Sequence, residues 1–181
     1  MARSGTRRAI LGLVVLSLGV LDVGGLLLGM RAHGRGGSLL VVPKGTQQWL
    51  DSIVQPVTYS VIPPSSDVSL VEALAGLTAV DGATVISDQF EPLAFGAKIL
   101  SRDGVHRVQQ VLLTEPIEGM RDSIVDPAHL GGTRHLSGAQ FAGDQHDSIA
   151  LVASQDGQFT VFAWSSTHRM VHAHRFETLL L

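Results

Sequence analysis

The sequence contains no cysteine. Disulfides, thiol catalysis and cysteine-based zinc sites are excluded, and the absence fits a reducing compartment. Positive charge is in short supply as well: 13 lysines and arginines stand against 16 acids, for a formal net charge of −3. A chain with that balance has no general attraction to nucleic acid or to anionic membranes, so any phosphate binding must come from a local site. Aromatic residues make up only 5%, and Trp49, Trp164 and the phenylalanines read as core or interface residues. Familiar catalytic signatures are missing. There is no HExxH, and Ser137 precedes Gly138 without the glycine that a G-x-S-x-G elbow requires. His172 and His174 would share a face if their segment is a strand, but neither they nor His168 show a zinc-ligand spacing. Internal repeats and low-complexity segments are also absent.

What is present is apolar: 45% hydrophobic against 16% charged residues over 181 positions. That supports a sizeable core in one domain with a short appendage, and argues against disorder. The appendage is residues 1–32 and the domain residues 33–181. Residues 1–8 are basic, with Arg3, Arg7 and Arg8; residues 9–30 are apolar apart from Ser17, Asp22 and five glycines. Three readings stay open for this run: a single membrane anchor, the hydrophobic part of a signal peptide lacking a small-x-small cleavage site, or a helix packed on the domain. Asp22 would cost ~2.5–3.5 kcal/mol in a membrane, and positive charge flanks both ends, which leaves the orientation of a span ambiguous; the packed helix is the preferred reading, with the single anchor next. Either of the two leading readings, anchor or packed helix, leaves the domain in the cytoplasm.

Along the chain, RAHGRGG at 31–37 is a sharp glycine- and arginine-rich turn before a β-branched strand at 38–42, stopped by Pro43. A short helix is predicted over 46–53 and a strand over 57–62. Ser65, Ser66 and Asp67 offer an N-cap to an amphipathic helix over 68–80, with Leu70, Leu74 and Leu77 on one face. Asp81-Gly82-Ala83 closes that helix and opens a strand at 84–87; residues 93–100 return as a second, in which Gly96 marks a bulge or a close backbone approach. Another strand is predicted over 105–114, then an irregular loop over 115–130. A short helix over 137–143 follows, and strands at 149–154 and 159–164 are joined through Gln155-Asp156-Gly157, a hairpin signal. The pattern is α/β: a mixed central sheet with helices on both faces.

The stretch that carries chemistry is Gly131-Gly132-Thr133-Arg134-His135. Glycines ahead of a helix start leave backbone N–H groups free where the helix dipole favours an anion. Thr133 adds a hydroxyl and Arg134 a forked donor suited to phosphate.

Taken together, DGA at 81–83, GTRH at 132–135 and the hairpin LVASQDGQFTVF at 151–162 resemble the diadenylate cyclase domain family in order and separation. The resemblance runs from about residue 36 to the C-terminus. It implies a mixed sheet flanked by helices, two domains face to face as a homodimer, and cyclic di-AMP made from two ATP. It would place Asp81 at a divalent metal (Mg²⁺ or Mn²⁺) and, in an active enzyme, at the attacking hydroxyl. Gly82 and Ala83 would lie close to the nucleotide, Gly132, Thr133, Arg134 and His135 around its phosphates, and Ser154 in the hairpin wall. Phosphoryl transfer needs alignment and charge neutralisation more than a covalent nucleophile, so such parts are coherent.

Two positions depart from the family pattern. Its Arg-His-Arg is here Arg134-His135-Leu136, and its Ser-Glu-Glu is Ser154-Gln155-Asp156. A cation and a carboxylate are lost, and Asp156 beside Gly157 reads as a turn residue. Those losses bear on transition-state charge more than on binding, which favours a nucleotide-binding sensor over an active cyclase. A ligand-free interaction domain is the third reading. It would have the site filled by side chains, with Leu136 in the phosphate space, whereas a sensor would keep an open pocket between Asp81 and Arg134.

Overall fold

The computed structural model describes residues 23–54, 76–78, 81–89, 91–100, 106–115 and 122–177. Among these residues nine strands, numbered in chain order, form one mixed sheet in the order β2-β4-β3-β1-β7-β8-β9-β5-β6. At its centre β1 (Gly37–Val42) runs parallel to β3 (Ala83–Ser87) and antiparallel to β7 (Ile149–Ala153). All three are buried along their whole length, which is why their sequences are nearly continuous apolar runs instead of alternating ones. Beyond β7 come β8 (Gln158–Ser165) and β9 (Met170–Glu177), both antiparallel; β9 then pairs in parallel with β5 (Val111–Thr114). The other end of the sheet is β4 (Pro92–Ile99) and the two-residue β2 (Ile53–Val54).

Side chains alternate between two cores. Leu40, Val42, Val85, Val152 and Phe162 face the first, with Ala139, Phe141 and Ala142 of a helix at Thr133–Asp144, here α2. Leu39, Val41, Ile86, Leu151, Phe159 and Val161 face the second, joined by Met30 of α1 (Val23–Ala32) and by Leu77. Burial of each large side chain contributes about 1.5–3 kcal/mol. Met30 is 1% exposed, so the C-terminal end of α1 packs on the sheet. No helix among the described residues is long and apolar enough to cross a membrane.

Several expectations change. Among the described residues α2 covers the first face, and the second is met by Met30 near the end of α1 and by Leu77. The predicted strand at 57–62 lies outside the described residues, as does most of the helix at 68–80; residues 76–78 are helical. The strand predicted over 105–114 is shortened, because residues 106–110 leave the ladder and Val108 N–H instead donates to Gln140 Oε1 of α2 at 2.9 Å. The loop expected over 115–130 contains β6 (Ser123–Val125), paired antiparallel with β5, and a 3-10 turn at Pro127–His129. The short helix at 46–53 is a 3-10 turn over Gln48–Ser52. Finally, α2 starts four residues before the expected 137, with Gly132 as its N-cap. Thr133, Arg134 and His135 therefore form its first turn.

A candidate anion site at the start of the second helix

Close packing sets where α2 begins. A Cβ at Gly138 would stand 3.0 Å from Val152 Cγ2 and 3.2 Å from the Phe162 ring, so glycine there lets the helix lie against β7 and β8. Its first turn then overhangs one end of the sheet. Ser38 at the beginning of β1, Gly82 and Ala83 leading into β3, and Val152 and Ala153 at the end of β7 lie beneath it.

Between these elements is a cavity of about 920 Å³. Its walls bring together Asp81-Gly82-Ala83, Gly131 to His135, and Ser154-Gln155-Asp156, with Ala97 to Leu100 of β4 and its end as a further side. All the residues singled out from the sequence thus line one cavity: Asp81, Gly82, Ala83, Gly132, Thr133, Arg134, His135 and Ser154. Leu136 does not line it; it is 42% exposed and points away.

The DGA wall depends on a paired approach of two glycines. Gly82 has φ +107° and Gly96 φ +64°. A Cβ on Gly82 would come within 2.5 Å of the Gly96 backbone carbon and 2.8 Å of its Cα and oxygen. The β3–β4 register slips between Ala83 and Val85, the bulge that Gly96 announced. Glycine at 82 is required by this contact and its positive φ, not only by a helix end.

At the facing wall the helix start supplies the anion geometry. His135 N–H donates to Gly132 O at 3.0 Å, which leaves the N–H groups of Thr133 and Arg134 ahead of it without an intrahelical acceptor, and the dipole places partial positive charge there. Neither Arg134 nor Asp81 has a hydrogen-bond or ion-pair partner among the described residues, so both are available to a ligand. His135 is 4% exposed, with its ring edge on Phe162 at 6.2 Å between centroids. Its Nδ1 lies against Gly131 and has no hydrogen-bond partner. Burial, and then the positive charge of Arg175, push its pKa below the usual value, so the imidazole is neutral near pH 7.

The hairpin wall is locked by its own turn. Ser154 N–H donates to Gln158 O at 2.9 Å, Gly157 N–H donates to Ser154 O at 3.2 Å, and Gly157 has φ +87°. The Ser154 hydroxyl donates to Asp156 Oδ1, which holds that carboxyl below its usual range. Asp156 is thus a turn residue, as its place beside Gly157 suggested. Ser154 belongs to the wall, with its hydroxyl already engaged.

Among the described residues no three histidine or acidic side chains gather as a metal site. Asp81 is the one carboxylate lining the cavity without a partner. That fits a divalent ion that arrives with a nucleotide, since Mg²⁺ is commonly held by one or two carboxylates together with phosphate oxygens.

Three contributors went unnoticed in the sequence. Ser38 and Gln158 line the cavity by virtue of sheet order, and Arg175 stands behind it. Compared with known protein families and with curated proteins, the chain matches none.

Proposed function

We propose that this domain is a nucleotide-binding sensor related in design to the diadenylate cyclases, with phosphate held at the start of α2. The observation that carries the reading is the convergence of three stretches, at 81–83, 131–135 and 154–156, on one cavity. Its volume of about 920 Å³ lies within the roughly 300–1,000 Å³ typical of small-molecule and cofactor sites. One side offers apolar contact through Ala97 and Ile99 of β4. The other offers a helix start, the Thr133 hydroxyl and the unpaired Arg134. An amphiphilic anion such as ATP or cyclic di-AMP suits that division. Asp81 would take part in holding Mg²⁺ or Mn²⁺ when the nucleotide brings it.

An open cavity with Leu136 turned outwards favours a ligand site over an interaction domain whose site is filled. Leu136 and Gln155 in place of a cation and a carboxylate favour binding over synthesis, because a transition state needs that charge more than a ground state does. An active cyclase, working as a face-to-face homodimer with Asp81 as its catalytic carboxylate, is the alternative. A domain that takes no ligand is the other.

Calorimetric titration of the full chain with ATP and with cyclic di-AMP, each with Mn²⁺, separates the three. Binding without product is expected. Cyclic di-AMP accumulating from ATP would establish the cyclase instead, and no heat from either nucleotide would remove the ligand site.

A further inference from the structure

The lead-in to α2 is held from the far end of the chain. Arg175 lies on β9, opposite Thr160 of β8. Its Nη2 donates to the carbonyl oxygen of Leu130 at 3.0 Å, and its Nη1 lies 3.4 Å from Glu115 Oε1. Both side chains of that ion pair are about four-fifths buried, at 22% and 18% exposure. Leu130 is itself fixed: its side chain is in the first core, and its N–H donates to Pro127 O at 3.1 Å. The next residue, Gly131, packs on the His135 imidazole. A continuous set of contacts therefore runs from Arg175 through Leu130 and Gly131 to His135.

We propose that Arg175 is the positioning residue of the anion site: it fixes the Leu130 carbonyl, and with it the Gly131-Gly132 lead-in, and keeps a positive charge behind His135. This rests on the nucleotide reading above and adds to it the residue that sets the geometry and charge of the phosphate end. Two charged groups act on His135, Arg175 from β9 and Asp156 from the hairpin; the Phe162 ring of β8 and Gly131 of the lead-in lie against its imidazole. The fork matters because a guanidinium can reach the carbonyl and the Glu115 carboxylate together, which an ammonium cannot do in the same way.

The test measures dissociation constants of the full chain for ATP with Mn²⁺ and for cyclic di-AMP at pH 8 and pH 6. Each is expressed as the ratio of variant to native protein, so that protonation of the ligand cancels. Arg175→Met is expected to weaken binding about tenfold at pH 8, the scale of one charged hydrogen bond. At pH 6 the ratio should shrink: without the guanidinium, His135 titrates nearer its ordinary value of 6.5, and the imidazolium then attracts phosphate. Arg175→Lys keeps the charge and loses the fork, so its ratio should exceed one and stay flat with pH. Arg175→Gln serves as the neutral variant if the methionine protein does not fold.

A ratio of one for the neutral variant would overturn the proposal. So would a loss that is the same at both pH values, since loosened structure alone would give that. Failure of the native chain to bind either nucleotide would overturn the nucleotide reading itself, and this inference with it.

Discussion

Two histidines are almost equally buried in this domain, and only one stands at a site. His135 is 4% exposed and His172 2%, and burial is the main cause that lowers the pKa of each. His172 sits in β9 with its Nε2 2.8 Å from Thr114 Oγ1, whose hydroxyl in turn donates to Asp122 Oδ1 at 2.9 Å. The threonine proton is committed to the carboxylate, so His172 Nε2 carries the hydrogen and donates. His168 and His174 flank it, with ring centroids 5.9 and 4.4 Å away. That group is enclosed within the sheet, although His172 Nδ1, like His135 Nδ1, has no hydrogen-bond partner. His135 instead borders a cavity, one residue after an unpaired arginine and within the first turn of a helix. Burial and a shifted pKa are common to both regions. What separates them is open volume bordered by a helix start and by the unpaired Arg134, so those features, not the histidine, mark the candidate site.

Substitutions can break this contrast. The largest effect is expected at Gly82, where alanine meets the Gly96 backbone and must adopt a positive φ. Strain and overpacking together should cost about 2–4 kcal/mol of stability, read as a lower midpoint in urea, with nucleotide binding lost alongside. An unchanged midpoint would mean that the two glycines do not touch.

Next comes Arg134→Ala, which should weaken nucleotide binding tenfold or more while leaving the midpoint within about 0.5 kcal/mol of native. Equal affinity would move the anion away from the helix start. His172→Phe is the control at the other region, with affinity unchanged.

Acid should weaken the fold through both histidines. Above pH 6.5, the ordinary value, each is neutral whether folded or not. Below it the unfolded chain takes up protons that the folded chain resists, so stability falls as pH drops towards the lowered folded values. The melting temperature should therefore decline from pH 7 to 5.5, and His172→Phe should remove part of that decline. A decline of native steepness in the variant would show that His172 does not contribute.

The smallest effect is expected from Leu136→Arg, which introduces a cation where the cyclase pattern has one. The position is exposed and outside the cavity wall, so the gain should be under about 1 kcal/mol, at most fivefold in affinity. A larger gain would indicate that the side chain turns into the site when a ligand is present.

How far the sequence foretold this structure follows from what each signal can carry. Continuous β-branched runs and the Asp156-Gly157 turn located β1, β3, β7 and β8, because burial on both faces and a positive φ leave direct marks. Gly82 and Gly96 were each noticed, but that they meet is a matter of register, which no single stretch encodes. The first turn of α2 was missed because Gly131-Gly132 reads as loop. In the fold Gly132 is the cap, and close packing at Gly138 supports the early start. β6 left no trace, being three residues long with Ile124 59% exposed. Arg175 could not be connected with Leu130 at all, since its role arises from β9 pairing with β5 and β8 in the assembled sheet.

We propose that a phosphate-bearing ligand sits at the first turn of α2, between the 81–83 and 154–156 walls. Backbone amide hydrogen exchange of the full chain, with and without cyclic di-AMP or ATP and Mn²⁺, tests that location directly. Slower exchange is expected at 132–136 and 81–84 on adding nucleotide, with the His172 region of β9 unchanged. Protection confined to other parts of the chain, or none where nucleotide demonstrably binds, would contradict it.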